Sequence, residues 1–381
     1  MQAVRRQDNY VAFWRGVSAQ MVVIGHSLNM FLPAFFMQPL AGGRWIAPDG
    51  GILYIQGLGV VIFFLISGYI VTKTSLVKAL SGTYDTTDFI IDRGTRILTP
   101  LIPAAVLVYL LDHFFFVDGQ ITPFQTIHLN LPTLAANVLL LFNNPILAVL
   151  ARVTGIPGLD VTRIGTAQPF WSVVVEWWIY VGFGVFAITW CIRRRFGILS
   201  LTTFVFAILY PWALLIKGLA LPIAWILGSL YCLAEDRMRT MPDKAAWIIT
   251  SLTAVMTLVA AKIADYNFYD PIFVCVFSAT FLFGHRLLDR HISDGRRRMP
   301  ALLNLWSDYS YSIYLVHFSL LTYLTTLRPA WAPPWVMIAG AFVIANLVAW
   351  LFWFTIERQH GRVRTFAHRV CGKPAHPPRA G

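Results

Sequence analysis

Ten apolar stretches recur along the 381-residue chain, near 12–32, 52–74, 95–117, 170–191, 198–216, 219–235, 245–263, 268–288, 302–326 and 334–355. Most approach the roughly 20 residues a helix needs to cross a hydrocarbon core. In lipid every backbone N–H and C=O must be satisfied within the protein, so stretches of this kind fold as helices. With 57% hydrophobic and only 13% charged residues, and a mean hydropathy of +0.64, an ordinary soluble domain is excluded. The expected fold class is all-α: a polytopic membrane protein of about ten transmembrane helices.

The net charge of +12 invites a nucleic-acid reading, but the placement of the cations argues for topology instead. Of the 30 Lys and Arg residues, 24 fall in alternate connections and in the two end segments, including Lys73, Lys78, Arg93, Arg96, Arg193–Arg195, Arg286 and Arg296–Arg298. The positive-inside rule then puts both termini in the cytoplasm, and no nucleic-acid partner is expected. Residues 133–150 are apolar enough to tempt an eleventh crossing, yet a crossing there would carry Arg193–Arg195 and everything after them to the other side. They are read as a helix lying in the outer interface or re-entering it, within a long outer loop over 118–169. The expected domain organisation is an integral membrane domain over 1–357 and a basic, solvated, partly disordered cytoplasmic tail over 358–381 that touches anionic lipid. The first apolar stretch lacks a signal-peptide cleavage site and is read as a retained span. Cys191, Cys232, Cys275 and Cys371 have no metal-ligand spacing and imply neither a zinc site nor a disulfide framework.

Polar residues inside the stretches are few, which makes them informative. Arg15 and His26 share the first, and at 1.5 Å per residue His26 stands roughly 16 Å along a helix from Arg15, about half a bilayer. An imidazole at that depth is costly and reads as functional, against the alternative of a histidine satisfied by a neighbouring helix. Arg93 and Arg96, three apart, leave one helix face and suit a phosphate gripped by two guanidiniums; the plainer reading is topology charges snorkelling to headgroups. Glu176 lies in the fourth stretch at a depth comparable to that of His26. It is a candidate to stabilise an imidazolium, or alternatively to pair with Arg163 and hold the outer loop. Neither Ser27 nor Ser67 has a nucleophile-elbow context, which favours direct transfer to an acceptor activated by His26. The 14 Trp, 14 Tyr and 28 Phe are read mainly as packing and interfacial belts.

Taken in order, five segments resemble the acyltransferase family 3 of integral membrane proteins. They are Arg15-x10-His26, Gly59–Tyr69 with its Phe-Phe-Leu-Ile-Ser-Gly-Tyr, Arg93-x-x-Arg96, Trp171–Glu176 and Ser310–His317. The resemblance implies a bacterial inner-membrane O-acyltransferase that moves an acyl group, acetyl or succinyl, from acyl-CoA to a hydroxyl. The acceptor class is a glycan, a lipid-linked oligosaccharide or glycolipid, or a secondary metabolite, as in polysaccharide modification. It makes His26 and Glu176 catalytic, Arg15, Arg93 and Arg96 candidates for the CoA phosphates or the site's electrostatics, and Tyr69, Trp171, Ser172 and His317 substrate-binding residues. Acyl-CoA is a co-substrate; no metal and no permanently bound cofactor is implied, and membrane lipids are the other partners. One departure concerns Glu176, which is followed here by Trp177 and Trp178 rather than a second acid or Gln and an aromatic. Another is the lack of an attached hydrolase-like domain, so the integral domain is expected to act alone.

The donor supports this architecture physically. CoA phosphates cannot cross lipid, so the nucleotide stays at the inner face while an extended pantetheine, on the order of 15–20 Å, carries the thioester toward His26. The competing reading is a proton-coupled transporter of an anionic or glycan substrate, with His26, Glu176 and His317 passing protons. No inverted repeat is evident, and the paired Gly/Pro interruptions of a transporter's midplane site are missing.

Overall fold

A computed structural model describes residues 9–32, 38–40, 44–46, 54–82, 84–156, 159, 161–293, 301–329 and 331–373. The expected topology charges Arg5, Arg6 and Arg296–Arg298, and the end of the expected tail, 374–381, lie outside the described residues. The helices are α1 Asn9–Phe31, α2 Ile55–Leu80, α3 Thr86–Phe115, α4 Leu131–Val138, α5 Pro145–Thr154 and α6 Phe170–Phe183, which continues as a π-helix over Gly184–Ile192. They are followed by α7 Ile198–Ile216, α8 Leu221–Thr240, α9 Asp243–Ile263, α10 Pro271–Ser293, α11 Ala301–Asp308, α12 Ser310–Thr326, α13 Pro334–Thr355, a 3-10 turn at Glu357–Gln359 and α14 His360–Val370. Two three-residue strands, β1 Gln38–Leu40 and β2 Arg44–Ile46, form an antiparallel pair with Pro39 opposite Trp45.

Among the described residues seven helices are long and apolar enough to cross a bilayer: α2, α3, α6 with its π segment, α7, α9, α10 and α13 running on into α14. The stretches expected at 12–32, 219–235 and 302–326 are helical too, as α1, α8 and α12. These three fall short on composition or length: α1 holds Arg15, Gln20 and His26, α8 ends Glu-Asp-Arg-Met-Arg-Thr, and α12 has 17 residues.

The chain divides into two compact units, one over 1–29, 47–74 and 214–311 and the other over 30–46, 75–213 and 312–381. In the first, glycines let helices meet backbone to backbone. A methyl on Gly68 of α2 would overlap the carbonyl oxygen of Trp225 in α8 and stand 2.8 Å from its carbon. Reciprocally, one on Gly228 would overlap the carbonyl oxygen of Leu65. The crossing is sealed by Thr72 donating to Ser229 Oγ (2.8 Å) and by Ser229 donating to the carbonyl of Gly68 (3.2 Å), the small-residue packing that membrane helices use where hydrophobicity cannot discriminate neighbours. Arg286 of α10, expected as a topology charge, is buried and closes the end of α8 through the carbonyls of Met238 (2.8 Å) and Met241 (2.6 Å).

In the second unit, a reciprocal capping box between Asp85 and Asp88 starts α3 (3.0 and 2.9 Å). The same end of α3 meets the far end of the α6 π segment. Thr86 donates to the carbonyl of Gly184 (3.3 Å) and pairs with Thr189 (2.5 Å), while Arg193 donates to the carbonyls of Gly82 and Tyr84 (2.9 and 2.8 Å). The start of α3 also meets α14. His368, buried, faces Asp92 (3.0 Å) and Asp88 (3.6 Å), and Arg96 pairs with Glu357 (3.0 Å) just before α14. Residues expected to be a solvated tail from 358 are thus ordered as a helix through Val370, because the spacing of Asp88, Asp92 and Arg96 sets one polar stripe of α3 against it. Lys373 reaches Asp85, whose carboxyl is held below its ordinary range: burial would raise it, but hydrogen bonds from Lys373 and the Asp88 N–H outweigh that.

The single helix expected over 133–150 is instead two, α4 of 8 and α5 of 10 residues, roughly 12 and 15 Å long and far short of a crossing. Asn143, with φ +51°, breaks them apart. The segment from 116 to 169 is pinned from beneath. Asp112, fully buried, accepts from Thr166 N (2.7 Å), Thr166 Oγ1 (3.0 Å) and Tyr323 (2.7 Å). Gly165, at φ +44°, leaves space that any side chain would take from that carboxylate. Asn137, also buried, donates to the carbonyl of Thr162 (3.0 Å) and accepts from Ile164 N (3.2 Å), and Trp178 donates to the carbonyl of Leu140 (2.9 Å). Asp112→Ala would orphan the Tyr323 hydroxyl and both Thr166 donors. It is expected to cost about 2–3 kcal/mol and to expose 116–169 to limited proteolysis while wild type stays intact.

Candidate functional site

Arg15, His26 and Tyr69 belong to the first unit. α1 is unbroken from Asn9 to Phe31, so the helical spacing between Arg15 and His26 is realised. Arg15 donates through Nη2 to the carbonyl of Ser307 (3.2 Å) and to Ser310 Oγ (3.1 Å). Gly16 allows this approach, since a methyl there would stand 3.0 Å from Trp306 Cβ. Part of the guanidinium's capacity therefore organises the start of α12. His26 is half-buried, between Gly25, which packs against Gln56 of α2, and Ser27, which is fully buried. The Ser27 hydroxyl donates to the carbonyl of Val23 (2.7 Å), so its proton is committed to the backbone.

Tyr69 is buried, and its hydroxyl donates to Glu235 Oε1 (3.0 Å) and accepts from Lys73 (2.5 Å). Glu235 also takes Lys73 (3.0 Å) and Arg239 (2.8 Å). Tyr69 is thus part of an ion cluster at the ends of α2 and α8. Sequence reading missed Glu235 because its helix was marked only as a short apolar stretch.

Arg93, Arg96, Trp171, Ser172, Glu176 and His317 belong to the second unit. Arg93 and Arg96 meet different partners. The fully buried Glu357 takes Arg96 on Oε1 and accepts from the N–H and Oγ of Ser312 on Oε2 (3.1 and 2.6 Å), so Arg96 is neutralised inside the protein. Arg96 also lies 3.5 Å from His360 Nδ1. The Arg93 guanidinium stands over the ring of Phe89 at 5.8 Å. Glu357 escaped the sequence reading because it lies beyond the last apolar stretch, at 334–355, and only polar residues within such stretches stand out.

Along α6, Ser172, Glu176 and Tyr180 recur every four residues and form one polar stripe. Tyr180 donates to Glu176 Oε1 (2.5 Å). Ser172 donates to the carbonyl of Pro169 (3.2 Å) and lies 2.5 Å from the Tyr314 hydroxyl, which must then be the donor to it. Tyr314 brings α12 against this stripe, and His317, three residues on, is fully buried. His317 Nδ1 faces the carbonyls of Ile313 (2.8 Å) and Tyr314 (3.0 Å), which accept only. The proton is therefore assigned to Nδ1, and Nε2 is the basic nitrogen. Trp171 is half-buried at the head of the stripe. Tyr180 and Tyr314 were missed, although their four- and three-residue offsets from Glu176 and His317 were available as a signal.

The structure therefore carries two polar constellations, each in a membrane-spanning framework. The acyltransferase domain family model matches residues 8–354, nearly the whole chain and every one of these candidate residues except Glu357 and His360. The chain belongs to the acyltransferase 3 family. No curated protein and no solved structure matches it. With seven helices apolar enough to span, it is a multi-pass membrane acyltransferase. The matched region stops just before Glu357, the carboxylate that takes Arg96, and before the helix docked on Asp88 and Asp92.

Proposed function

We propose that this membrane acyltransferase moves an acyl group, acetyl or succinyl, from acyl-CoA to a hydroxyl of a glycan, glycolipid or secondary metabolite at a bacterial inner membrane. The reading rests on one observation: a chain of this family holds a half-buried imidazole, His26, about 16 Å along an unbroken helix from Arg15. In this scheme His26 takes the proton of the acceptor hydroxyl as its oxygen attacks the thioester carbonyl. The tetrahedral intermediate then expels the CoA thiolate, which recovers the proton from the imidazolium. Ser27 is a poor nucleophile with its proton given to Val23, which favours direct transfer. Glu176 takes the second acid–base position, and Trp171, Ser172, Tyr69 and His317 are assigned to the acceptor. Arg15 and Arg93 are the contacts proposed for CoA phosphates; Arg96 serves by holding Glu357.

The reading keeps ten crossings with both termini cytoplasmic, and contacts at the start of α3 are compatible with that count. Thr86 meets Gly184 and Thr189, so the chain between them crosses an even number of times, which α3 and α6 satisfy and a crossing at 133–150 would not. Arg96 meets Glu357, so an even number also separates α3 from the end of α13, and the eight spans of the ten-helix arrangement agree with that.

The test is thiol release from acetyl-CoA and succinyl-CoA by the purified protein in nanodiscs, with and without glycan acceptors. Release shows the donor. Absence of both release and acyl-CoA binding would overturn the reading in favour of transport. The arginines divide in the same assay. Arg93→Ala is expected to raise KM for acyl-CoA about tenfold, the loss of one charge-assisted phosphate contact, with kcat little changed. Arg96→Ala is expected to lower stability by about 2 kcal/mol, since Glu357 is left buried while the lost arginine was itself partly exposed.

A further inference from the structure

α5 has no buried residue, although it lies in a segment that is otherwise tightly pinned. Its neighbour α4 buries Thr133, Ala136 and Asn137, so the two helices differ in what they rest on. Val149 and Val153 of α5, one helical turn apart, are 58% and 78% exposed, and Leu150 beside them is exposed too. Arg152 is the one charged side chain in the helix and is exposed. A ten-residue helix is too short to persist on propensity alone, and this one rests on the protein only through partly buried Pro145, Ile146, Leu147, Ala148 and Ala151.

Its ends are nevertheless complete. Asn144 accepts from the N–H groups of Ile146 and Leu147 (2.9 and 3.4 Å), and Gly155, at φ +65°, closes the far end with its N–H on the carbonyl of Ala151 (2.9 Å). A capped helix with an apolar surface and a single cation is suited to the boundary between headgroups and acyl chains, where few backbone groups can be left unsatisfied. Two observations put that boundary at this end of the second unit. The Asp112–Tyr323 contact brings the ends of α3 and α12 together, and Trp331 in the connection after α12 and Trp335 in the first turn of α13 are 80% and 71% exposed, as interfacial tryptophans are. The exposed Phe114 and Val117 at the end of α3 continue the lipid-facing surface toward the same segment.

We infer that α5 is a shallow membrane anchor: Val149, Leu150 and Val153 enter the leaflet at the α3–α12 end, Arg152 meets lipid phosphates, and the segment is held between bilayer and protein. Residues 145–154 lie in the interface and do not re-enter the core. The inference needs only that the chain is a membrane protein, so its failure would leave the acyl-transfer reading standing.

The test is depth-dependent quenching in phospholipid nanodiscs. Val149→Cys and Val153→Cys, each with the four native cysteines replaced by serine, carry an environment-sensitive fluorophore. Leu150→Cys is the third position should either fail to fold. Lipids bearing a nitroxide near the headgroup end of the acyl chain are expected to quench severalfold more than lipids labelled near the chain terminus, and aqueous iodide is expected to quench least. Strongest quenching by iodide would show a water-exposed helix. Strongest quenching by the deep nitroxide would show a re-entrant one. Either result overturns the inference.

Discussion

His26→Ala is expected to abolish acyl transfer while the protein stays folded, with turnover falling at least about 10³-fold, the range a positioned general base supplies. The structure makes the folding half of that expectation specific. His26 is half-buried rather than sealed in a core, and contacts of other residues also hold its stretch of α1: Gly25 against Gln56, and Arg15 to Ser307 and Ser310. Removing the imidazole should therefore leave melting temperature and elution profile close to wild type. The measurement is initial-rate thiol release by both proteins in nanodiscs, with acyl-CoA binding measured alongside. Retained binding with lost turnover is the expected pair of results. Normal turnover would remove His26 from the mechanism, and lost folding would return it to the role of a satisfied structural histidine.

Gly68→Val and Gly228→Val are each expected to prevent folding altogether. A side chain at Gly68 would overlap the carbonyl oxygen of Trp225 and approach Ser229 N to 3.1 Å; one at Gly228 would overlap the carbonyl oxygen of Leu65 and stand 3.0 Å from Tyr69 N. Backbone cannot swing aside as a flexible side chain can, so α2 and α8 must separate, losing the Thr72–Ser229 and Ser229–Gly68 hydrogen bonds as well. Overpacking usually costs about 1–3 kcal/mol, but here it acts on a contact that carries the helix crossing and should exceed that range. The readout is the yield of monodisperse protein after detergent extraction. Gly340→Ala is the control: nothing lies within 4 Å of its added methyl, and it should be extracted like wild type. A well-folded Gly68→Val protein would show that the α2–α8 crossing is not as close as described.

The glycine result bears on how the Ser-Gly-Tyr segment is read. As a string it suggests a functional motif, and Tyr69 is expected to bind substrate. In the folded chain Gly68 is a packing residue, and Tyr69 is one member of an ion cluster with Lys73, Glu235 and Arg239. Arg93-x-x-Arg96 divides similarly: adjacency on a helix face made the two look equivalent, whereas Arg96 is satisfied by a carboxylate 261 positions on. Such partners are invisible to local spacing, because they arise from which helix ends meet.

What the sequence determined by itself is the helical, membrane-spanning character of the chain, the positions of most of its long helices and the short list of polar residues inside them. Those follow from local physics: apolar runs of about twenty residues have one stable form in lipid, and each buried charge stands out against them. Only the tertiary structure decided what those polar groups do to one another. It gave Arg96 to Glu357, Tyr69 to Glu235 and Ser172 to Tyr314, made Asp112 the anchor of the segment before α6, ordered much of the expected tail as a helix on Asp88 and Asp92, and split 133–150 into a pinned helix and one with no fully buried residue. The reason is physical: the cost of a buried polar group is local, but the partner that meets that cost is chosen by packing between segments far apart in the chain.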